Sequence, residues 1–215
     1  MNQATAKWSE SAAAPESATG RLKLLLVGVG GQGVLTAAKI LGAAAHEAGQ
    51  SVVVSQHHDM TQRGGNVECS VLFGPGRSSF IIGGVADILV GFEPLEVLRA
   101  LPSIGANTDV VVNLGTVVPF EVTRSMTEYP PVDQILSAVR SATDRLTTVD
   151  GPTLMQDVGV ARTLNVLMLG AVAGLGLLPF DEDQLCSAVE RRSPARYQDA
   201  NRRAFEVGLR WAVER

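Results

Sequence analysis

The chain has 215 residues and a mass of 22.6 kDa; 46% of residues are hydrophobic and 19% charged, the composition of one globular domain with a full core. Its net charge of −4, from 18 basic and 22 acidic side chains, argues against a nucleic-acid binder, which carries a basic face. Two cysteines, Cys69 and Cys186, are too few for the roughly four thiolates of an iron–sulfur cluster, for a cysteine-only zinc site or for a disulfide framework.

Residues 1–20 are mostly Ala, Ser, Thr and Glu, with Pro15 and no apolar run. They read as a disordered tail, not a secretory signal, ahead of one domain over 21–215. Residues 22–27 form a short apolar strand that runs straight into a glycine-rich turn. The spacing of Val34, Leu35, Ala38, Leu41, Ala45 and Ala48 predicts a helix over 34–48, ended by Gly49. Residues 51–55 are a second strand, which makes a βαβ unit and an α/β fold. The polar stretch 56–66 reads as a loop. Residues 67–73 and 78–82 flank Gly74-Pro75-Gly76-Arg77, a hairpin signal.

Strands are then expected at 87–91, 109–113 and 146–149, with helices at 94–101 and 131–141. From residue 160 onward the chain reads as helix: an all-apolar one at 160–175, a short one at 182–191 capped by Asp181, and an Arg-rich last one at 195–213. The expected fold is a three-layer α/β/α, Rossmann-like domain with a mixed, mostly parallel sheet and a helical C-terminal segment. The longest apolar run, 166–178, falls short of the ~20 residues of a membrane span, so a cytoplasmic protein is expected.

Gly28-Val29-Gly30-Gly31-Gln32-Gly33 matches G-x-G-x-x-G between a strand and a helix. Gly28, Gly30, Gly31, Gln32 and Gly33 are therefore candidates for holding a phosphate-bearing cofactor at a helix N-terminus. The acid that holds a ribose hydroxyl, expected near Ser55 or Gln56, is absent, and the first one is Asp59. The same glycines also suit a plain strand–helix turn that lets another chain approach. A stand-alone nucleotide-binding protein or an NAD(P) dehydrogenase is the alternative reading.

Further segments extend the pattern: Val54-Ser55-Gln56-His57-His58-Asp59-Met60-Thr61-Gln62-Arg63-Gly64-Gly65, then Gly91-Phe92-Glu93-Pro94-Leu95-Glu96, then Asn113 with Pro119 beyond it. Asn165 with Leu169-Gly170, and Asn201, Ala204-Phe205 and Gly208, follow in order. Together these resemble the pyruvate/ketoisovalerate gamma-type domain of 2-oxoacid:ferredoxin oxidoreductases, above all the short beta subunits of the indolepyruvate type. The resemblance runs from about Leu22 to Gly208. Asp59 departs from it, standing where the indolepyruvate type usually has Gly.

The resemblance implies a partner in an enzyme that converts a 2-oxoacid and coenzyme A to acyl-CoA, carbon dioxide and reduced ferredoxin. Thiamine diphosphate, Mg and [4Fe-4S] clusters are expected in a larger alpha subunit, none in this chain, whose sequence has no Gly-Asp-Gly. Coenzyme A is the implied co-substrate and ferredoxin, or another acceptor, is reached through the alpha subunit; no nucleic acid or membrane partner is expected. His58 and Arg63 are the catalytic candidates, one for a hydrogen bond or proton, the other for a carboxylate or phosphate. Gln62, Arg63, Gly64 and Gly65 are expected to face the partner. Glu93 and Glu96 lie at a helix start and Asn165 in an apolar helix, where structural roles are expected. No metal site is expected at His57 and His58, which are adjacent and have no cysteine beside them.

Overall fold

A computed structural model of the chain describes residues 20–58, 65–76, 84–117 and 128–215, with the backbone alone for His57, His58 and Ala161. Six strands form one mixed sheet: β1 Leu22–Val29, β2 Val52–His58, β3 Asn66–Phe73, β4 Ile88–Gly91, β5 Asp109–Asn113 and β6 Leu146–Val149. Their order is β2-β3-β1-β4-β5-β6. The pairs β1–β4, β4–β5 and β5–β6 are parallel, whereas β3 runs antiparallel to both β1 and β2.

The described helices are α1 Val34–Glu47, α2 Pro94–Arg99, α3 Val132–Arg140, α4 Gly151–Val158, α5 Leu164–Gly174, α6 Glu182–Arg192 and α7 Gln198–Val213. Alternate residues of β1 divide the core. Leu24 and Leu26 pack with α1, α5, α6 and α7, and Leu25 and Val27 pack with Val97 of α2 and Leu136 and Val139 of α3. This is the expected three-layer arrangement with a helical C-terminal segment. Helix α5 is apolar all round and is buried from Asn165 to Val172. It lies against α7 with backbones in close approach, since a Cβ on Gly208 would collide with Leu167 O and one on Gly170 with Phe205 O. Among the described residues, no helix is long and apolar enough to cross a membrane.

The structure departs from the sequence reading at several points. The stretch 56–66 is not wholly loop: β2 continues through Gln56, His57 and His58, which pair with Cys69, Glu68 and Val67 in a β2–β3 hairpin. β1 and β2, parallel to each other as a βαβ unit requires, have β3 inserted between them, so both edges of β3 are taken. The expected hairpin partner at 78–82 lies outside the described residues. Helix α4 was not expected at all. Its signals are local: the Asp150 side chain accepts from Thr153 N at 3.1 Å, Pro152 occupies the first turn, and Gly159 closes the helix at φ 74. The apolar helix begins at Leu164, after a 3₁₀ turn at Ala161–Thr163, and the last helix follows another at Ala195–Tyr197. Asp181 caps α6 as expected, in a reciprocal pair with Gln184.

Candidate functional site

Strand β1 leads into α1 on one face of the sheet, and its neighbour β4 leads into α2 on the other. The chain thus turns away in opposite directions from adjacent parallel strands, which opens a crevice at their carboxyl ends. The glycine loop forms one lip of that crevice and Phe92-Glu93 the other.

Gln32 ties the two lips together. Its Oε1 accepts from Val29 N at 2.8 Å, and its Nε2 donates to Phe92 O at 3.0 Å. Asn113, at the end of β5, donates its Nδ2 to the same carbonyl at 2.9 Å. Gly28 is needed here: a Cβ on it would stand 2.8 Å from Gln32 Oε1, 2.8 Å from Val34 Cγ2 and 3.0 Å from Phe92 Cβ. The interior of the turn is therefore filled by its own carboxamide. Gly30 N donates to Gly65 O at 3.1 Å, which fastens the glycine loop to the start of β3. Gly31 is exposed at φ 99 with nothing within 4 Å of its Cβ position.

Gly33 precedes α1 at φ 81, a left-handed conformation. A Cβ there would stand 2.7 Å from Asn165 Nδ2, so this third glycine serves the approach of α5. Asn165 donates to Gly33 O at 3.4 Å, which matches the expectation that it satisfies a backbone group.

Glu93 is fully buried and caps α2, accepting from Glu96 N at 3.2 Å. The hydroxyl of Tyr129 donates to its other oxygen. Burial raises the Glu93 carboxyl above the ordinary carboxylate range, against the lowering effect of the Tyr129 and backbone hydrogen bonds. Burial, and then the Glu93 bond, raise the Tyr129 phenol. Glu96 accepts from Arg99 at 2.8 Å. Glu93 thus caps the start of α2 and Glu96 pairs along the helix with its last residue, structural roles of the kind expected of them.

Of the predicted site residues, the structure brings Gly28, Gly30, Gln32, Gly33 and Gly65 together at one end of the sheet. His58 ends β2 at that same end, paired in register with Val67. Gln62, Arg63 and Gly64 lie outside the described residues. Among the described residues, no three His, Cys, Asp or Glu side chains converge on a metal position. Burial pushes the Cys69 thiol up to about 11, so it is inert. The bridging role of Asn113 and the Tyr129–Glu93 bond were not read from sequence; an Asn ending an apolar strand was the one available signal for the first.

The description of the pyruvate ferredoxin/flavodoxin oxidoreductase family matches residues 23–211. The indolepyruvate oxidoreductase subunit IorB of Methanothermobacter thermautotrophicus is 36% identical over 191 residues, which is 89% of this chain and 97% of that protein. The protein of the same name in Archaeoglobus fulgidus is 34% identical over 193 residues, 90% and 96% of the two. A ketoisovalerate oxidoreductase subunit VorA is 28% identical over 195 residues, with 37% of its length covered. Among solved structures, the keto/oxoacid ferredoxin oxidoreductase gamma subunit of Geobacter sulfurreducens shares the fold, with a TM-score of 0.66 at 24% identity, covering 91% of this chain and 98% of that one. A 2-oxoglutarate:ferredoxin oxidoreductase of Magnetococcus marinus, with 2-oxoglutarate, coenzyme A and succinyl-CoA bound, gives 0.69 at 16% identity, covering 91% of this chain and 31% of that one.

Proposed function

Because the chain belongs to the pyruvate ferredoxin/flavodoxin oxidoreductase family, as one of its gamma/beta-type subunits, we propose that it is the non-cofactor subunit of a thiamine-diphosphate-dependent enzyme acting on indolepyruvate or another arylpyruvate. With a larger alpha subunit it would convert the 2-oxoacid and coenzyme A to acyl-CoA and carbon dioxide, and reduce ferredoxin. The observation that carries this reading is the end-to-end match to IorB subunits, 89% of this chain against 97% of the relative. In the VorA relative the same module is only 37% of the protein, which supports a domain that works beside a larger polypeptide.

Thiamine diphosphate, Mg and the [4Fe-4S] clusters belong to the alpha subunit in this reading. The donor set here agrees: Cys69 is buried inside the sheet and Cys186 lies on α6. These free thiols also favour a reducing compartment, the cytoplasm. The carboxyl end of the sheet faces the partner, with Gln62, Arg63, Gly64 and Gly65 at the contact and His58 beside it. Arg63 pairs with a carboxylate or phosphate across that contact. The Gln32 carboxamide inside the glycine turn favours this subunit role over a dehydrogenase, whose pyrophosphate needs the turn open.

The test is purification of the chain from its native host with identification of the co-purifying chain, followed by assay of indolepyruvate-dependent reduction of a viologen dye. A larger chain carrying clusters, with coenzyme A-dependent turnover, is the expected result. A chain that purifies alone with a bound dinucleotide would overturn the proposal.

A further inference from the structure

Phe92 follows β4 directly, and its carbonyl is held from two sides, by Gln32 and by Asn113. Asn113 also donates Nδ2 to Gly115 O at 3.2 Å, which braces the chain as it leaves β5. Glu93 therefore stands on a fixed base at the carboxyl end of the sheet. Its side chain is fully buried, yet it serves more than one element. One oxygen accepts from Glu96 N and caps α2; the other accepts from the Tyr129 hydroxyl. The Val117 N–H also hydrogen-bonds this carboxyl, and the Leu95 N–H hydrogen-bonds both it and the Tyr129 hydroxyl oxygen. Val117 lies just beyond β5 and Tyr129 just before α3. A single carboxyl thus fastens both ends of the β5–α3 connection to the start of α2.

Capping alone does not account for this residue. Ser, Thr, Asp and Asn are the preferred caps and reach the same N–H with a shorter side chain. A buried carboxyl also carries a desolvation cost that a hydroxyl largely avoids. What Glu adds is reach and a second oxygen, and both are used on Tyr129 and Val117. The fastening lies at the end of the sheet where the glycine loop, Gly65 and the end of β2 also gather.

We propose that Glu93 is a positioning residue for subunit assembly: it presets Val117 and Tyr129, the two ends of the β5–α3 connection, for contact with the large subunit. The inference rests on the subunit role proposed above. Presetting matters because a surface that is competent for only a fraction of the time binds more weakly by that fraction. Two variants separate the fastening from the cap. Glu93→Asp keeps a preferred cap on α2 but draws the carboxyl back from Tyr129 and Val117. Tyr129→Phe deletes the hydroxyl and leaves the cap in place. Each full-length variant is titrated against the large subunit that co-purifies with the wild type, with coenzyme A-dependent dye reduction reporting assembly. Amide hydrogen exchange at Val117 is followed in the free chain. Val117 should exchange faster in both variants, and half-saturation should need about tenfold more chain. The double variant should also lose about tenfold rather than about a hundredfold, since both changes cut one link. A purely structural role would lower the melting temperature and leave the affinity unmoved. If Glu93→Asp melts below the assay temperature, Tyr129→Phe decides alone. Wild-type affinity, unchanged Val117 exchange, or independent losses in the double variant overturn the inference and leave the proposed function standing. A wild-type chain that takes no large subunit overturns the proposed function, and this inference with it.

Discussion

Replacing Gly33 by alanine tests whether the third glycine of the loop exists for the contact with α5. The substitution adds two separate strains. At φ 81 an L-residue is left-handed, which costs about 1–2 kcal/mol. The new Cβ would also stand 2.7 Å from Asn165 Nδ2 and 2.9 Å from Asn165 Cγ, inside the packed junction of α1 and α5. Overpacking of this kind costs about 1–3 kcal/mol, so the two together reach about 2–5 kcal/mol. For a domain of this size the melting temperature falls by about 2–4 °C per kcal/mol, hence roughly 4–20 °C. Gly31→Ala is the internal control: φ is 99, but nothing lies within 4 Å of its Cβ position, so it carries the backbone strain alone. Calorimetric melting of the two variants isolates the packing part. The Gly33→Ala/Asn165→Ala double variant should then be less destabilised than the sum of its single changes, because the second removes what the first collides with. If Gly33→Ala melts with Gly31→Ala, α5 does not press on the loop and the junction is wrongly described.

Gln32→Ala should destabilise the chain by about 1–2 kcal/mol in urea unfolding, since the buried Val29 loses the acceptor of its N–H in a half-buried bond and the tie to Phe92 is cut, and an unmoved midpoint would contradict the stitched loop. Glu93 has a carboxyl raised above 4.5 by burial, so its neutral form is the one the fold favours. Its contribution is therefore fully present below pH 4.5 and is lost as pH rises through the raised value, so wild type should lose stability relative to Glu93→Gln over that rise; the opposite trend would refute a buried carboxyl there. Arg63→Ala should leave the free chain's melting unchanged and weaken assembly, or raise the Michaelis constant for oxoacid or coenzyme A, by about 2–5 kcal/mol, as seen by gel filtration and kinetics. A strongly destabilised free chain would show that the partner of Arg63 lies within this chain.

Much of the fold was legible because its punctuation is local. The β1–glycine–α1 passage, β5 ending at Asn113 and the Asp181 cap each combine an apolar period with a turn or capping residue nearby. The end of β2 was not, because Gln56, His57 and His58 are polar, and only the ladder to Cys69, Glu68 and Val67 makes them a strand. Helix α4 was missed for a different reason. Its opening Gly151-Pro152 reads as a turn unless Asp150 is recognised as the cap before them. For the site, the sequence pointed to the right loop but not to its wiring. The bonds from Gln32 to Phe92 and from Asn165 to Gly33 join residues 60 and 132 positions apart, and no local pattern records them.

The measurement closest to the central claim is reconstitution of the chain with its large subunit. The chain alone should be colourless and inert, the large subunit alone should be inactive or nearly so, and the pair should reduce a viologen dye with indolepyruvate only when coenzyme A is present. Full activity of the large subunit without this chain, or nicotinamide-dependent dehydrogenase activity of this chain alone, would contradict the account.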